Sequence, residues 1–467
     1  MDILLTHGYF LYADNHEKQI MRPYPPLGIL YISSHLKACG FAVDVFDSTF
    51  ASLSAFTTYI QANKPPVVGI YCNMMTRRTV IKMIPICKAA GCTVVVGGPD
   101  PANYAENYIN HGADIVVIGE GEVTLEEFLT HHAQYGLNQL ADMNGIVYQQ
   151  DGKICRNLPR EYIKDLNTQP HPDRAAIDIP AYMDVWKTHH GKSAVSLITA
   201  RGCPYTCNWC SHAVFGYTHR RRSPQHVADE VAQIKATYDP DLLWYADDVF
   251  TINHRWLFAY AEELGKRGLH TPFETISRED RLNEDVVRTL AEMGCYRIWV
   301  GAESGSQRIL DAMERKTDVQ RVVEVVQLLK KYNIEAGMFI MLGYDGEEIS
   351  DLHETVNTLK AANPDVFLTT VAYPIAGTKY FEKVSEDVIP LKEWHQGSDS
   401  DYTVAGRHST QFYRYATRWM VGEVAWNKER VASSPDYLRM AKSFMSAKLG
   451  RLGMVITQHQ VETGHRA

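Results

Sequence analysis

Three cysteines, Cys203, Cys207 and Cys210, stand in the run Arg201-Gly-Cys-Pro-Tyr-Thr-Cys-Asn-Trp-Cys210, with the spacing Cys-x3-Cys-x2-Cys. Thiolates this close together can converge on one metal centre. A cubane iron–sulfur cluster normally takes four Cys ligands, so three leave one iron with an open position, and an open metal position is where chemistry happens. Zinc is the rival. His212 lies two residues beyond Cys210, and Cys3His is an ordinary zinc set. A structural disulfide fits poorly with nine Cys in 467 residues and no sign of export. The other six cysteines (Cys39, Cys72, Cys87, Cys92, Cys155 and Cys295) lie on apolar stretches and read as small buried hydrophobes.

The elements that must position this loop can be read from hydrophobic periodicity. From about 194 to 373 the pattern predicts strands at 194–199, 242–245, 270–276, 296–300, 336–341 and 366–371. Helices fit between them at 224–237, 255–267, 284–293, 306–312, 319–332 and 347–361. Six repeats make a partial (β/α)6 barrel; the two further repeats that would close a full barrel are not found. Each strand runs straight into unusual polar or glycine residues. They are the three-Cys loop, Ala246-Asp247-Asp248, Ser277-Arg278-Glu279-Asp280, Gly301-Ala-Glu303-Ser304-Gly-Ser306, Leu342-Gly-Tyr-Asp-Gly346 and Tyr373-Pro-Ile-Ala-Gly-Thr378. Active sites of such barrels lie at the carboxyl ends of the strands, so these motifs are expected to share one site.

The first 130 residues alternate as well. Strands are expected at 3–6, 42–46, 67–72, 93–96 and 114–118, and helices at 27–38, 52–62, 77–90, 103–110 and 122–133. Strand–helix alternation predicts a doubly wound parallel sheet, whose ligands sit beyond the carboxyl ends of the strands. Those ends carry Asn73 and Thr76, Gly97-Gly98-Pro99 and Gly119-Glu120-Gly121-Glu122. Glycine there lets a ligand approach the backbone, or it makes only a tight turn. A hairpin is expected at 146–150 and 153–156 around Asp151-Gly152, after which Pro159, Pro170, Pro172 and Pro180 keep the chain extended. The expected division is 1–140, a connector at 141–190, a barrel at 191–380 and a small helical region at 381–467. This last region holds an aromatic-rich helix around 412–426 and a basic, polar tail.

A formal net charge of −8 argues against non-specific nucleic-acid binding. An apolar fraction of 45% is that of a globular protein. No run of 18 apolar residues predicts a transmembrane segment, and the start of the chain lacks a basic n-region, so a cytoplasmic protein with free thiols is expected. The run His219-Arg-Arg-Arg222 is read either as a solvated loop or as a clamp for substrate carboxylates or phosphates.

The cysteine loop resembles the signature of radical S-adenosylmethionine (radical SAM) enzymes. Cys210-Ser-His-Ala-Val-Phe-Gly216, Arg220-Arg-Arg-Ser-Pro224, Tyr245-Ala-Asp-Asp-Val-Phe250 and Gly301-Ala-Glu-Ser-Gly-Ser306 extend the likeness. The first sheet, with Pro26-Leu-Gly28 opening a helix and Gly119-Glu-Gly-Glu122 after the fifth strand, is similar to a cobalamin-binding domain. Together, residues 1–380 resemble the branch of radical SAM enzymes with an N-terminal cobalamin (B12)-binding domain. The resemblance implies that Cys203, Cys207 and Cys210 hold a [4Fe–4S] cluster whose open iron takes SAM. Asp247 and Asp248 would face the SAM amino group, Arg278 its carboxylate, and Glu303 and Ser304 the same molecule. It further implies that Asn73, Thr76, Gly97, Gly98, Gly119 and Gly121 border cobalamin. The implied reaction is reductive cleavage of SAM to a 5′-deoxyadenosyl radical that abstracts hydrogen from an inert C–H bond, followed by methylation of that carbon from methylcobalamin. An electron donor such as flavodoxin or ferredoxin and an organic substrate of unknown class are the implied partners. Asp-x-His-x-x-Gly, the motif that supplies a His ligand to cobalt, is absent; Asp14-Asn-His16 lacks the glycine. Two other readings stay open: a radical SAM enzyme of another type, such as an oxidative cyclase or a rearranging enzyme, and a zinc-stabilised binding protein without catalysis.

Overall fold

The computed structural model describes residues 1–463. The chain divides into two units, the first made of residues 1–204, 211–246 and 393–398, and the second of 205–210, 247–392 and the rest from 399 on.

The first unit is built on a seven-stranded sheet. Its strands are β1 (Ile3–His7), β2 (Val43–Phe46), β3 (Val67–Tyr71), β4 (Thr93–Gly97), β5 (Ile115–Val117), β6 (Ile146–Gln150) and β7 (Lys153–Arg156), in the order β2-β1-β3-β4-β5-β6-β7. Pairing is parallel from β2 to β5. Side chains alternate between two buried layers, as the period of two requires. Leu4, Val68, Val94, Val96 and Val116 meet helices 53–63, 77–89 and 105–110 on one face. Ile3, Leu5, Val67, Val95 and Ile115 meet helices 27–38 and 122–135 on the other. Strand order reverses between β1 and β3, the switch point at which doubly wound sheets open a crevice for ligands.

Residues 141–190 are more ordered than an extended connector. The expected hairpin is present, and β6 joins the sheet antiparallel to β5. Residues 179–190 form a helix where extended chain was expected. Asp178 caps it by accepting from the Ala181 N–H, Pro180 lies in its first turn, and Gly191 ends it at φ 78°. Proline in a first turn starts a helix rather than breaking it, because its missing N–H would have had no partner there.

The barrel strands are β8 (Ala194–Leu197), β11 (Leu242–Tyr245), β12 (Phe273–Ser277), β13 (Cys295–Glu303), β14 (Glu335–Leu342) and β15 (Val366–Val371), with the two-residue strands β9 (Ala200–Arg201) and β10 (Arg220–Arg221) between the first two. The sheet order is β15-β14-β13-β12-β11-β8, all parallel, which makes the partial (β/α)6 barrel. Five of its helices start where a side chain satisfies the free N–H groups of the first turn: Ser223, Asn253, Asn283 and Asp318 at four of them, and the reciprocal Glu348–Asp351 box at the fifth; the short helix at 307–312 starts without such a cap.

Beyond the barrel lie a short antiparallel pair, β16 (Val388–Pro390) with β17 (Tyr402–Val404), and two helices at 410–431 and 437–457. The first is the expected aromatic helix, extended at both ends. The second, expected as a polar tail, buries only small residues, Met454 and Thr457, a thin signal in sequence.

Candidate active site

In the first unit the cysteine loop is held at its base. Antiparallel pairing sets Arg220 against Arg201 and Arg221 against Ala200. Gly202 follows at φ 82°, where an added Cβ would lie 2.5 Å from the Thr218 carbonyl, so only glycine can make this turn. Arg201 donates to Glu120 at 2.6 Å and to Glu122 at 2.5 Å, and Arg220 donates to Glu120 at 2.8 Å. Glu120 also accepts from the Ile163 N–H at 2.8 Å. Arg222 and Arg174 converge on Glu230 in the same way, at 3.1 and 2.6 Å. Glu120, Glu122, Arg201, Arg222 and Glu230 are all buried. Arg220 and Arg222 are thus neither a solvated loop nor a clamp for substrate anions. They are internal charges, paired because an unpaired charge removed from water is costly.

In the second unit Cys207 is buried, and Arg278 holds its Nη1 3.8 Å from the Cys207 sulfur. Burial raises the thiol's pKa, while the adjacent guanidinium opposes that rise. Arg278 also donates to Asp280 at 2.9 Å and to the Arg315 carbonyl at 3.0 Å, and it lies 3.9 Å from the centroid of the Tyr205 ring. Arg278, which the resemblance sets against the SAM carboxylate, thus lies beside a cysteine of the same motif.

Asn208, which the sequence reading passed over, anchors the loop. Its N–H donates to the Met313 carbonyl and its amide to that of Ala312, its side-chain oxygen accepts from Tyr344 at 2.6 Å, and its carbonyl accepts from the Tyr380 N–H. Trp209 packs on the apolar cluster of Ile309, Leu310 and Met313. An Asn between two of the cysteines was the signal available.

Glu303 ends β13 at φ 59°, a left-handed conformation unusual for a side chain other than glycine, with the register slipping between Gly301 and Glu303. Burial first, and then the Glu279 carboxylate, push its pKa up to about 8, against the pull of Arg278. Glu279 is itself fully buried, with Arg315 at 3.1 Å and Thr317 as partners. Ser304 faces Thr355 at 3.3 Å and accepts from the Ser306 N–H. Asp247 is buried beyond the end of β11, and Asp248 beside it is exposed.

At the first sheet's carboxyl ends, Asn73 accepts from the N–H groups of Met75 and Thr76, and the Thr76 hydroxyl accepts from the Asn73 N–H. The pair shapes the turn into helix 77–89. Gly98 adopts φ 114°, and a Cβ there would lie 2.3 Å from the Cys72 carbonyl. Gly97 ends β4, and Gly119 follows β5 at φ 87°. A Cβ on Gly121 would sit 2.8 Å from Ile32. A network missing from the sequence reading borders the β1 end. His7 meets Asp47 at 3.0 Å, and the Tyr182 hydroxyl donates to Asp47 at 2.8 Å. His7 and Asp47 close β1 and β2, the one hint available.

Two family descriptions match: the radical SAM superfamily over residues 197–359 and the B12 binding domain over residues 20–129. The chain carries a radical SAM domain behind a B12-binding domain. An uncharacterized methyltransferase of Pyrococcus horikoshii is 26% identical over 394 residues, 83% of this chain and 84% of that one. The anaerobic magnesium-protoporphyrin IX monomethyl ester cyclase of Rubrivivax gelatinosus is 26% identical over 398 residues, 81% of this chain and 70% of the cyclase. The structure of OxsB, a cobalamin-dependent S-adenosylmethionine radical enzyme, matches the fold with a TM-score of 0.74 at 15% identity, over 97% of this chain and 72% of that one.

The radical SAM domain brings a [4Fe–4S] cluster and SAM, and the B12-binding domain brings cobalamin. The residues fit these groups. None of the three loop cysteines is in a disulfide, and a guanidinium faces Cys207. At the ends of β4 and β5, glycine is required by close packing inside the protein, with the Cys72 carbonyl 2.3 Å from a Cβ at Gly98 and Ile32 2.8 Å from one at Gly121. The zinc-stabilised alternative falls with the family match. His212, its fourth ligand, stacks on Tyr217 with ring centroids 4.1 Å apart. Among the described residues the group whose ligand atoms cluster as a metal requires is His35, Cys39 and Glu126, well removed in sequence from the loop.

Proposed function

We propose that this protein methylates an unactivated carbon of an organic substrate, using cobalamin and a radical SAM centre. The observation that carries this reading is the presence in one chain of a B12-binding domain and a radical SAM domain, matched over most of its length by a methyltransferase. When bound, the cluster with SAM supplies hydrogen-abstracting radical chemistry and the corrin supplies a methyl group. Cys203, Cys207 and Cys210 hold the cluster. Arg278 sets a positive charge beside the Cys207 thiolate, which favours the more electron-rich state of whatever that sulfur ligates. Asp247, Asp248 and Glu303 present carboxyl groups to the SAM ammonium, and Ser304 fixes the backbone around Glu303. Because Glu303 carries its proton up to about pH 8, a cation arriving there releases that proton. Asn73, Thr76, Gly97, Gly98, Gly119 and Gly121 border the corrin. With no Asp-x-His-x-x-Gly motif, cobalamin binds without that motif's histidine. A small redox protein, flavodoxin or ferredoxin, supplies the electron.

The test is anaerobic reconstitution with iron, sulfide and a corrinoid, followed by incubation with a reductant, SAM labelled on its methyl group, and a cell extract. An intact labelled methyl in a new product is the expected result. SAM cleavage with no corrinoid uptake and no labelled product would refute methylation and favour a cyclase-type reaction.

A further inference from the structure

The helix at 437–457 buries one side and leaves the other without cover. Its buried side is small, and Ala447, Gly450 and Gly453 face helix 410–431. A Cβ on Gly450 would lie 2.5 Å from the Trp419 backbone, and one on Gly422 would lie 2.6 Å from that of Ala447, so the two helices touch backbone to backbone. The opposite side carries Leu438, Met445, Leu449, Leu452 and Ile456, exposed to 67, 58, 46, 57 and 67%. These positions recur every three, four or seven residues, so they form one stripe along the helix. Lys442, Lys448 and Arg451 are exposed as well, and Arg439 pairs with Glu429 at 3.3 Å. From Tyr437 to Thr457 there is no Asp or Glu, in a chain whose net charge is −8.

We propose that this helix lies flat on an anionic lipid bilayer and docks the protein there. A basic helix with a continuous apolar stripe buries its apolar side at the headgroup–acyl boundary and meets acidic headgroups with its lysines. A second copy of this chain fits less well. Facing stripes would bring the flanking Lys442 and Lys448 of each copy together with no carboxylate on the helix to pair them. No helix among the described residues is long and apolar enough to cross a membrane, so attachment is at the surface. The proposal is independent of the reaction catalysed.

The test is flotation of the full chain with vesicles of phosphatidylcholine alone or mixed with phosphatidylglycerol. Binding is expected to the mixed vesicles, weakening as salt rises. L449Q/L452Q/I456Q is expected to lower partitioning by at least about tenfold, since each side chain loses most of its transfer energy, with thermal unfolding unchanged because all three are exposed. K442E/K448E should abolish the preference for phosphatidylglycerol. The proposal is overturned if the wild type does not float, or if the triple variant floats equally well. It is also overturned if the stripe instead drives a dimer that the triple variant dissolves, or captures only an acidic protein.

Discussion

Glu120 is the position where one substitution most directly tests how the cysteine loop is held. Its buried carboxylate accepts from Arg201 at 2.6 Å, Arg220 at 2.8 Å and the Ile163 N–H at 2.8 Å. E120Q keeps the shape and removes the charge. Arg201 retains Glu122 at 2.5 Å, so Arg220 bears most of the loss. Removing one partner of a buried pair costs about 3–5 kcal/mol, and the surviving Glu122 contact argues for the lower end, about 3 kcal/mol. At roughly 2–4 °C per kcal/mol for a unit of this size, the melting temperature should fall by about 6–12 °C. Arg201 and Arg220 form the ladder at the base of the loop, so iron bound per chain after reconstitution should fall too. E120L/R220M, which removes charge and partner together, should recover at least half of the lost stability, because an apolar pair avoids the desolvation cost. Differential scanning fluorimetry under anaerobic conditions, with iron analysis, reads both. A melting temperature within about 1 °C of wild type and full iron in E120Q would refute the reasoning. So would a double variant as unstable as the single.

C207A is expected to abolish SAM cleavage and lower iron content while circular dichroism stays unchanged; normal cleavage would contradict the cluster assignment. For Glu303, the folded pKa of about 8 lies above the ordinary 4.5, so the native state holds more protons between those values and stability falls as pH rises through the window. E303Q should match wild type below about pH 4.5 and exceed it above about pH 8 in melting experiments; a wild type that gained stability over E303Q across that range would sink the assignment. R278M removes a cationic N–H from beside Cys207, so the cluster's midpoint potential should become more negative, with R278K intermediate, as read by potentiometric titration followed by electron paramagnetic resonance. An unchanged potential would place Arg278 in a purely structural role. G98A forces a Cβ to within 2.3 Å of the Cys72 carbonyl at a left-handed φ, so it should cost about 1–3 kcal/mol and lower corrinoid uptake, measured by absorbance after gel filtration.

Much of this molecule was legible in the chain. Strands β11 and β15 and the hairpin β6–β7 fall on the residues the periodicity predicts, because each is a short apolar run bounded by turn residues. The three cysteines stood out because their spacing is a ligand geometry. What escaped was long-range pairing. Nothing local in His219-Arg-Arg-Arg222 announces that Arg220 will meet Glu120 a hundred residues away, and a basic run looks solvated until its acids are located. The helix at 179–190 was hidden by reading Pro180 as a breaker without asking whether it sat in a first turn. The final helix, expected as a basic, polar tail, buries mostly small residues, with glycine at 450 letting its backbone approach that of Trp419. Asn208 was overlooked for being uncharged, yet its donors and acceptor fix the segment between two of the three thiols.

At the close of β13 the main chain adopts a geometry that favours glycine, and the sequence provides a carboxylic acid instead. Relieving that tension would be simple for a protein selected on folding alone. In a copy of this gene freed from its reaction, position 303 is therefore where drift toward glycine should be rewarded early, with a sturdier but idle product.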